Sequence, residues 1–217
     1  MSDETKQATP PVHTSERLIA FLDAAIAIAL TLLILPLMEG VSEASADGQS
    51  LAEYVEAHAS QLLAFALSFV MIALFWRLHH TMLLPDTPAS RSRTTLQFAW
   101  LFTITIMPVV TALTGGLETD RPLVASYVGT LAASAWLLFA IAVVERRERA
   151  TVGLPFTATV AAAPLALALL FTLTLLLGLI VPSHFWLFVM SLTGLLRWVL
   201  IRLGVVGREA ASATDGS

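Results

Sequence analysis

The stretch ERLIAFLDAAIAIALTLLILPL, residues 16–37, is apolar for long enough to cross a bilayer, yet carries Arg17 and Asp23 at its front end. A helix needs about 20 apolar residues to span the hydrocarbon, and an ionised side chain there costs a few kcal/mol or more, so Asp23 requires a compensating partner. The rest of the chain repeats the pattern. Of its 217 residues 57% are hydrophobic and 13% charged, against about 45–50% apolar in an ordinary soluble domain. Apolar windows fall at 17–37, 60–83, 95–114, 122–144, 157–181 and 185–203. Isolated strands cannot satisfy their backbone in lipid, so each window reads as a helix. The fold class that follows is an all-α integral membrane protein with six transmembrane helices, a single six-helix domain over 16–205. The polar ends, 1–15 and 206–217, read as disordered cytoplasmic tails, and the first lacks the apolar core of a cleaved signal peptide.

Charge sets the expected orientation. The link after the first window holds Glu39, Glu43, Asp47, Glu53 and Glu56 and no Lys or Arg, so it is expected outside. Arg77, Arg91 and Arg93, the ERRER run at 145–149, and Arg197, Arg202 and Arg208 are expected inside, with Lys6 and Arg17. Arg121 is the exception. A multi-pass protein of the cell membrane with both termini cytoplasmic is the result. The outer acids, with Glu118 and Asp120 added, would raise the cation concentration at an extracellular mouth, or they form an ordinary solvated hairpin.

On the first helix Ala24, Ile28, Thr31, Leu32 and Leu35 share one stripe at helical spacing. Periodicity alone reads this as a packing face or as a surface shared by copies of the helix, and the small residues Ala24, Ala25, Ala27 and Ala29 suit either. Pro36 ends or bends the span near its outer end. In the second window Ser68, Trp76 and His79 are polar handles, while Arg77 can reach the inner surface. His79 and His80 diverge by about 100° on a helix and make a poor pair for one metal. Because one span runs outward and the next returns, Asp23 and His79 share a depth, and Asp23 is expected to pair with Arg17, Trp76 or His79.

Other chemistry finds little support. There is no Thr-Val-Gly-Tyr-Gly filter, GxSxG, HExxH, P-loop or Gly-rich dinucleotide motif, and no Cys. Ser68, Thr103, Thr105, Thr172 and Thr174 are scattered without a base at their depth, and the Thr residues are expected to bond back to their own helices. Trp136 and Trp186 read as interfacial anchors, and His184 as a solvated loop residue.

RLIAFLDA followed by AIALTLLILPL resembles the Arg-x-x-x-Phe-Ser-Asp opening of the transmembrane protein 175 family of potassium channels. Arg17, Phe21 and Asp23 match, and Leu22 stands where the family has Ser. The SF pair at 68–69, then Trp76, then His79 and His80 repeat the family's second-span spacing, and Pro108 in ITIMPVVTAL sits where its third span has a proline. The resemblance covers roughly the first half of the chain. It implies a potassium-selective or potassium-preferring cation channel, with helix 1 lining a central pore in a homotetramer. It assigns Ile28 to the narrow constriction, Leu32 and Leu35 to positions above it, and Thr31 to a hydroxyl that assists selectivity. Arg17, Phe21, Asp23, Trp76 and His79 fall on the interhelical network that holds the helix. The partners implied are other copies of the chain, the lipid bilayer and permeant potassium ions, with no cofactor, catalytic residue, bound metal or nucleic acid. The rival readings are a proton-coupled secondary transporter, in which Asp23 and His79 would titrate, and a non-conducting membrane assembly protein.

Overall fold

The computed structural model describes residues 13–82, 90–151, 153 and 159–181. The tails and the expected sixth span at 185–203, with Trp186, Arg197 and Arg202, lie outside the described residues, as does His184. The described part is helical: α1 His13–Leu32, α2 Leu35–Ala46, α3 Leu51–Ala57, α4 Ala59–Met82, α5 Arg91–Gly116, α6 Arg121–Thr151 and α7 Thr159–Ile180. Five segments are long and apolar enough to cross a membrane, with α1 and α2 together forming the first.

Two elements differ from the sequence reading. The acidic outer link is mostly helix, because α2 extends to Ala46 and α3 opens with a capping box. In that box the Ser50 backbone N–H donates to Glu53 Oε2 at 2.7 Å, and the Glu53 backbone N–H donates to Ser50 Oγ at 3.4 Å, so two orphan donors are satisfied. The basic run 145–149 is likewise not a link but the inner end of α6, which runs on to Thr151. Caps fix the other starts. Ser90 Oγ accepts the Arg93 backbone N–H at 3.1 Å at the head of α5, and Asp120 Oδ1 accepts the Leu123 backbone N–H at 2.9 Å at the head of α6.

The core lies between α4, α5, α6 and α7, with α1 laid against α5 and α4. Phe75, Trp100, Ile104, Met107, Tyr127, Leu138 and Phe171 fill it. The hydroxyl groups of this core bond to one another or to their own helices. Tyr127 Oη and Ser68 Oγ lie 3.0 Å apart, and the Thr111 hydroxyl is 2.7 Å from both Ser68 Oγ and the Met107 carbonyl. Thr103, Thr105, Thr172 and Thr174 each donate to a carbonyl three or four residues back, as the sequence reading expects. Trp136 is not an interfacial anchor: it sits at the middle of α6 and donates its Nε1–H to Thr172 Oγ1 at 3.0 Å. At the outer end α4 and α5 touch so closely that a Cβ on Gly115 would lie 2.7 Å from Gln61 Cγ and 3.0 Å from Gln61 Cα.

Candidate functional site: the exposed face of the first helix

The first helix has two faces with different fates. Leu22, Ile26, Ala29 and Leu33, spaced at four, three and four, are buried against the bundle. On the other side Ala24, Ile28, Thr31, Leu32 and Leu35 are exposed, Ile28 by 59%, Leu32 by 42% and Leu35 by 52%. Within one subunit this stripe is therefore not a packing face. The span formed by α1 and α2 is the least buried of the five. Thr31 turns its hydroxyl back along the helix and donates to the Ile28 carbonyl at 2.8 Å. The helix then breaks at Leu33 and Ile34, and Pro36 stands in the first turn of α2, where a missing N–H is tolerated.

The N-terminal half of α1 is tied to α4 through Asp23. Trp76 donates its indole Nε1–H to Asp23 Oδ1 at 2.9 Å, which gives the acidic residue a partner at membrane depth. The other two partners considered for Asp23 behave differently. Arg17 is exposed and forms no ion pair among the described residues. His79 turns into the core, 1% exposed, and stacks on Trp100 with ring centroids 4.2 Å apart and planes at 14°. Neither of its ring nitrogens has a hydrogen-bond partner among the described residues. Phe21 lies 5.9 Å from Phe98 of α5, ring to ring. Leu22 is completely buried, so the position packs as part of the core.

Sequence reasoning missed a buried ionic knot where the C-terminal ends of α4 and α6 meet the N-terminal end of α5. Arg93 Nη1 lies 2.9 Å from Glu145 Oε2 and 3.4 Å from Glu148 Oε2. Arg149 Nε is 3.4 Å from Glu145 Oε1, and Arg149 Nη2 donates to the Met82 carbonyl at 2.7 Å. The spacing of Glu145 and Arg149, four apart on a helix, was the available signal. Among the described residues no cluster of three or more His, Cys, Asp or Glu is arranged to hold a metal ion.

Residues 17–108 match the family model described as the endosomal/lysosomal potassium channel TMEM175. The matched segment is similar to that family and spans less than half of the chain. It starts inside α1, holds α2 to α4 and ends at Pro108 inside α5, so it contains the exposed stripe and the Asp23–Trp76 bond but not Glu145. The fold is also similar to the crystal structure of a lysosomal potassium-selective channel TMEM175 homolog from Chamaesiphon minutus, with a TM-score of 0.65 and 22% identity over 88% of this chain and 98% of that one. No curated protein matches the chain. Five segments long and apolar enough to cross a bilayer, with the likeness of residues 17–108 to a membrane channel family, make this a multi-pass membrane protein.

Proposed function

We propose that the chain is a potassium-selective or potassium-preferring cation channel of the cell membrane. Four copies surround a central pore lined by α1, each copy carries a sixth span at 185–203, and both termini are cytoplasmic. Ile28 is the narrowest point, Leu32 and Leu35 lie outside it, and Thr31 supplies the nearest hydroxyl. Arg17, Phe21, Asp23, Trp76 and His79 fix the rotation of the helix, through the Asp23–Trp76 bond and the packing around it. The observation that carries this reading is the exposed Ile28–Leu32–Leu35 stripe on a helix whose opposite face is fully engaged. The similarity of residues 17–108 to a potassium-channel family supports it.

An apolar ring gates by dewetting: a narrow collar of Ile empties of water, and an ion would have to shed its shell without replacement ligands. Widening the collar restores conduction, and potassium, which is cheaper to dehydrate than sodium, passes more readily. The test is cation flux into liposomes holding the purified chain, with potassium and sodium gradients side by side and protein-free vesicles as control. Flux favouring potassium is expected. Ile28→Asn should wet the constriction, raise the leak and lower the selectivity; identical flux and selectivity in that variant would remove Ile28 from the filter.

A further inference from the structure

One layer of polar side chains in the core lacks protein partners among the described residues. His79 of α4 is 1% exposed, Gln97 of α5 2% and Trp100 of α5 0%. Both His79 ring nitrogens, Gln97 Oε1 and Trp100 Nε1 are buried, and among the described residues no hydrogen bond reaches any of the four. Buried polar atoms in folded proteins are nearly always paired, so four orphans in one layer point to a ligand that satisfies them together. The helices bring them to one place. His79 stacks on Trp100 with ring centroids 4.2 Å apart, and Gln97 precedes Trp100 by three residues, on the same side of α5.

The chemistry of the four atoms selects the ligand. The indole offers one N–H, the amide oxygen accepts, and a neutral imidazole adds one donor and one acceptor. Two donors and two acceptors complement water, which itself donates and accepts. A cation would meet two N–H groups, and an anion would meet the Gln97 oxygen and the bare ring nitrogen.

Access comes from the neighbouring turn. Arg93 lies one turn before Gln97 on α5, and Met82, whose carbonyl takes the Arg149 guanidinium, lies one turn after His79 on α4. The layer therefore adjoins the ionic knot, where the Glu148 side chain is 23% exposed and meets solvent. On its far side Phe75 of α4 and Ile104 of α5 are completely buried and close it off.

We propose that ordered water occupies this layer and bridges Gln97 Oε1, the His79 ring and the Trp100 indole N–H, as a fixed part of the contact between α4 and α5. Through His79 the water holds the roll of α4. Trp76, three residues earlier on that helix, is thereby presented to Asp23 of α1. His79 is then a positioning residue, and it acts in this way whether or not α1 lines a pore.

The test uses the full chain, isotope-labelled in detergent micelles, and reads magnetisation transfer from water to each indole N–H. Trp100 is identified by the resonance that Trp100→Phe removes, and Trp76 by the one that Trp76→Phe removes. The expected result is a water cross-peak at the Trp100 indole that is lost in Gln97→Leu and in His79→Phe. His79→Phe should also shift the Trp76 indole resonance, while His79→Gln, which keeps a donor and an acceptor, retains both signals. Water density between the three side chains is expected in an experimental structure fine enough to show it. A wild-type Trp100 indole without a water cross-peak overturns the proposal, as does density that puts a protein group on the His79 ring nitrogens. A cross-peak that survives both substitutions overturns it too, and an unmoved Trp76 resonance in His79→Phe removes the positioning role. If neither variant folds, the wild-type cross-peak and density decide the matter alone.

Discussion

Trp76 reaches from α4 to Asp23 of α1 and holds its carboxyl at 2.9 Å, so the least buried of the five described spans is anchored by a polar bond in its N-terminal half. The remainder of its attachment is apolar, through Leu22, Ile26, Ala29 and Leu33. Apolar contact sets how close two helices lie but resists rotation poorly, whereas a hydrogen bond between a rigid indole and a short carboxyl fixes the register of one helix on the other.

Trp76→Phe should therefore lower the thermal stability of the assembled protein by about 1–3 kcal/mol, the usual range for losing one partner of such a bond. Asp23→Asn keeps an acceptor oxygen and should cost less than Asp23→Ala. A double-mutant cycle on Trp76→Phe and Asp23→Ala in detergent melts is the check, and strictly additive losses would show that the bond contributes nothing.

Gly115 is required by closeness rather than by backbone conformation. Gly115→Ala places a methyl 2.9 Å from Gln61 Cβ and 3.0 Å from Gln61 Cα, so the backbones of α4 and α5 must part. A cost of about 1–3 kcal/mol follows from such overpacking. Gln61→Ala should restore only part of it, because the Cα and Cβ contacts remain; full recovery of the melting temperature would contradict this account.

The inner-end knot predicts an asymmetry between two neighbouring acids. Glu145 is completely buried between Arg93 and Arg149, so Glu145→Gln leaves buried guanidinium charge less compensated and should destabilise the protein by about 3–5 kcal/mol. Glu148 is partly exposed and 3.4 Å from Arg93, and Glu148→Gln should cost well under half as much. Expression level and melting temperature of the two variants, measured in parallel, decide it.

Outside the membrane the Ser50 side chain and backbone hold the Glu53 carboxyl below its usual 4.5. A carboxyl depressed in the folded state adds stability that is present above its unfolded value and is lost as the pH falls through the folded one. The first turn of α3 should accordingly fray as the pH drops below 4.5. Amide exchange over residues 50–54 should speed up on acidification in the wild type, and Glu53→Gln should flatten that dependence.

The helices were legible because apolar windows near bilayer length admit few other readings, and the back-bonding threonines were legible because a hydroxyl in an apolar helix always has its own helix carbonyls within reach. Two outer and inner segments were misread for the same reason: their polarity was taken as loop or as a topological signal. Ser50-x-x-Glu53 marks a helix start in residues 50–53 and was passed over. The Glu145–Arg149 spacing marks a helix at the inner end, but nothing local tells that Arg93 completes it. The stripe on α1 was visible as a stripe; its exposure was not, since periodicity cannot say which of two apolar faces meets the bundle. His79 was placed at the right depth, yet its stacking on Trp100 rather than contact with Asp23 depends on how α4 is rotated, a tertiary fact.

The ionic knot also dictates an order of assembly at the ribosome. Arg93 emerges with the third apolar span, but the carboxylate that meets it is 52 residues later, and the guanidinium that caps the Met82 carbonyl is 67 residues beyond that carbonyl. At roughly 5–20 residues per second this is a wait of several seconds. For that interval the α4–α5 hairpin is inserted but not closed, and α6 arrives as its latch. A nascent chain stalled before α6 lacks Glu145 and Arg149, the residues that meet Arg93 and the Met82 carbonyl in the finished subunit.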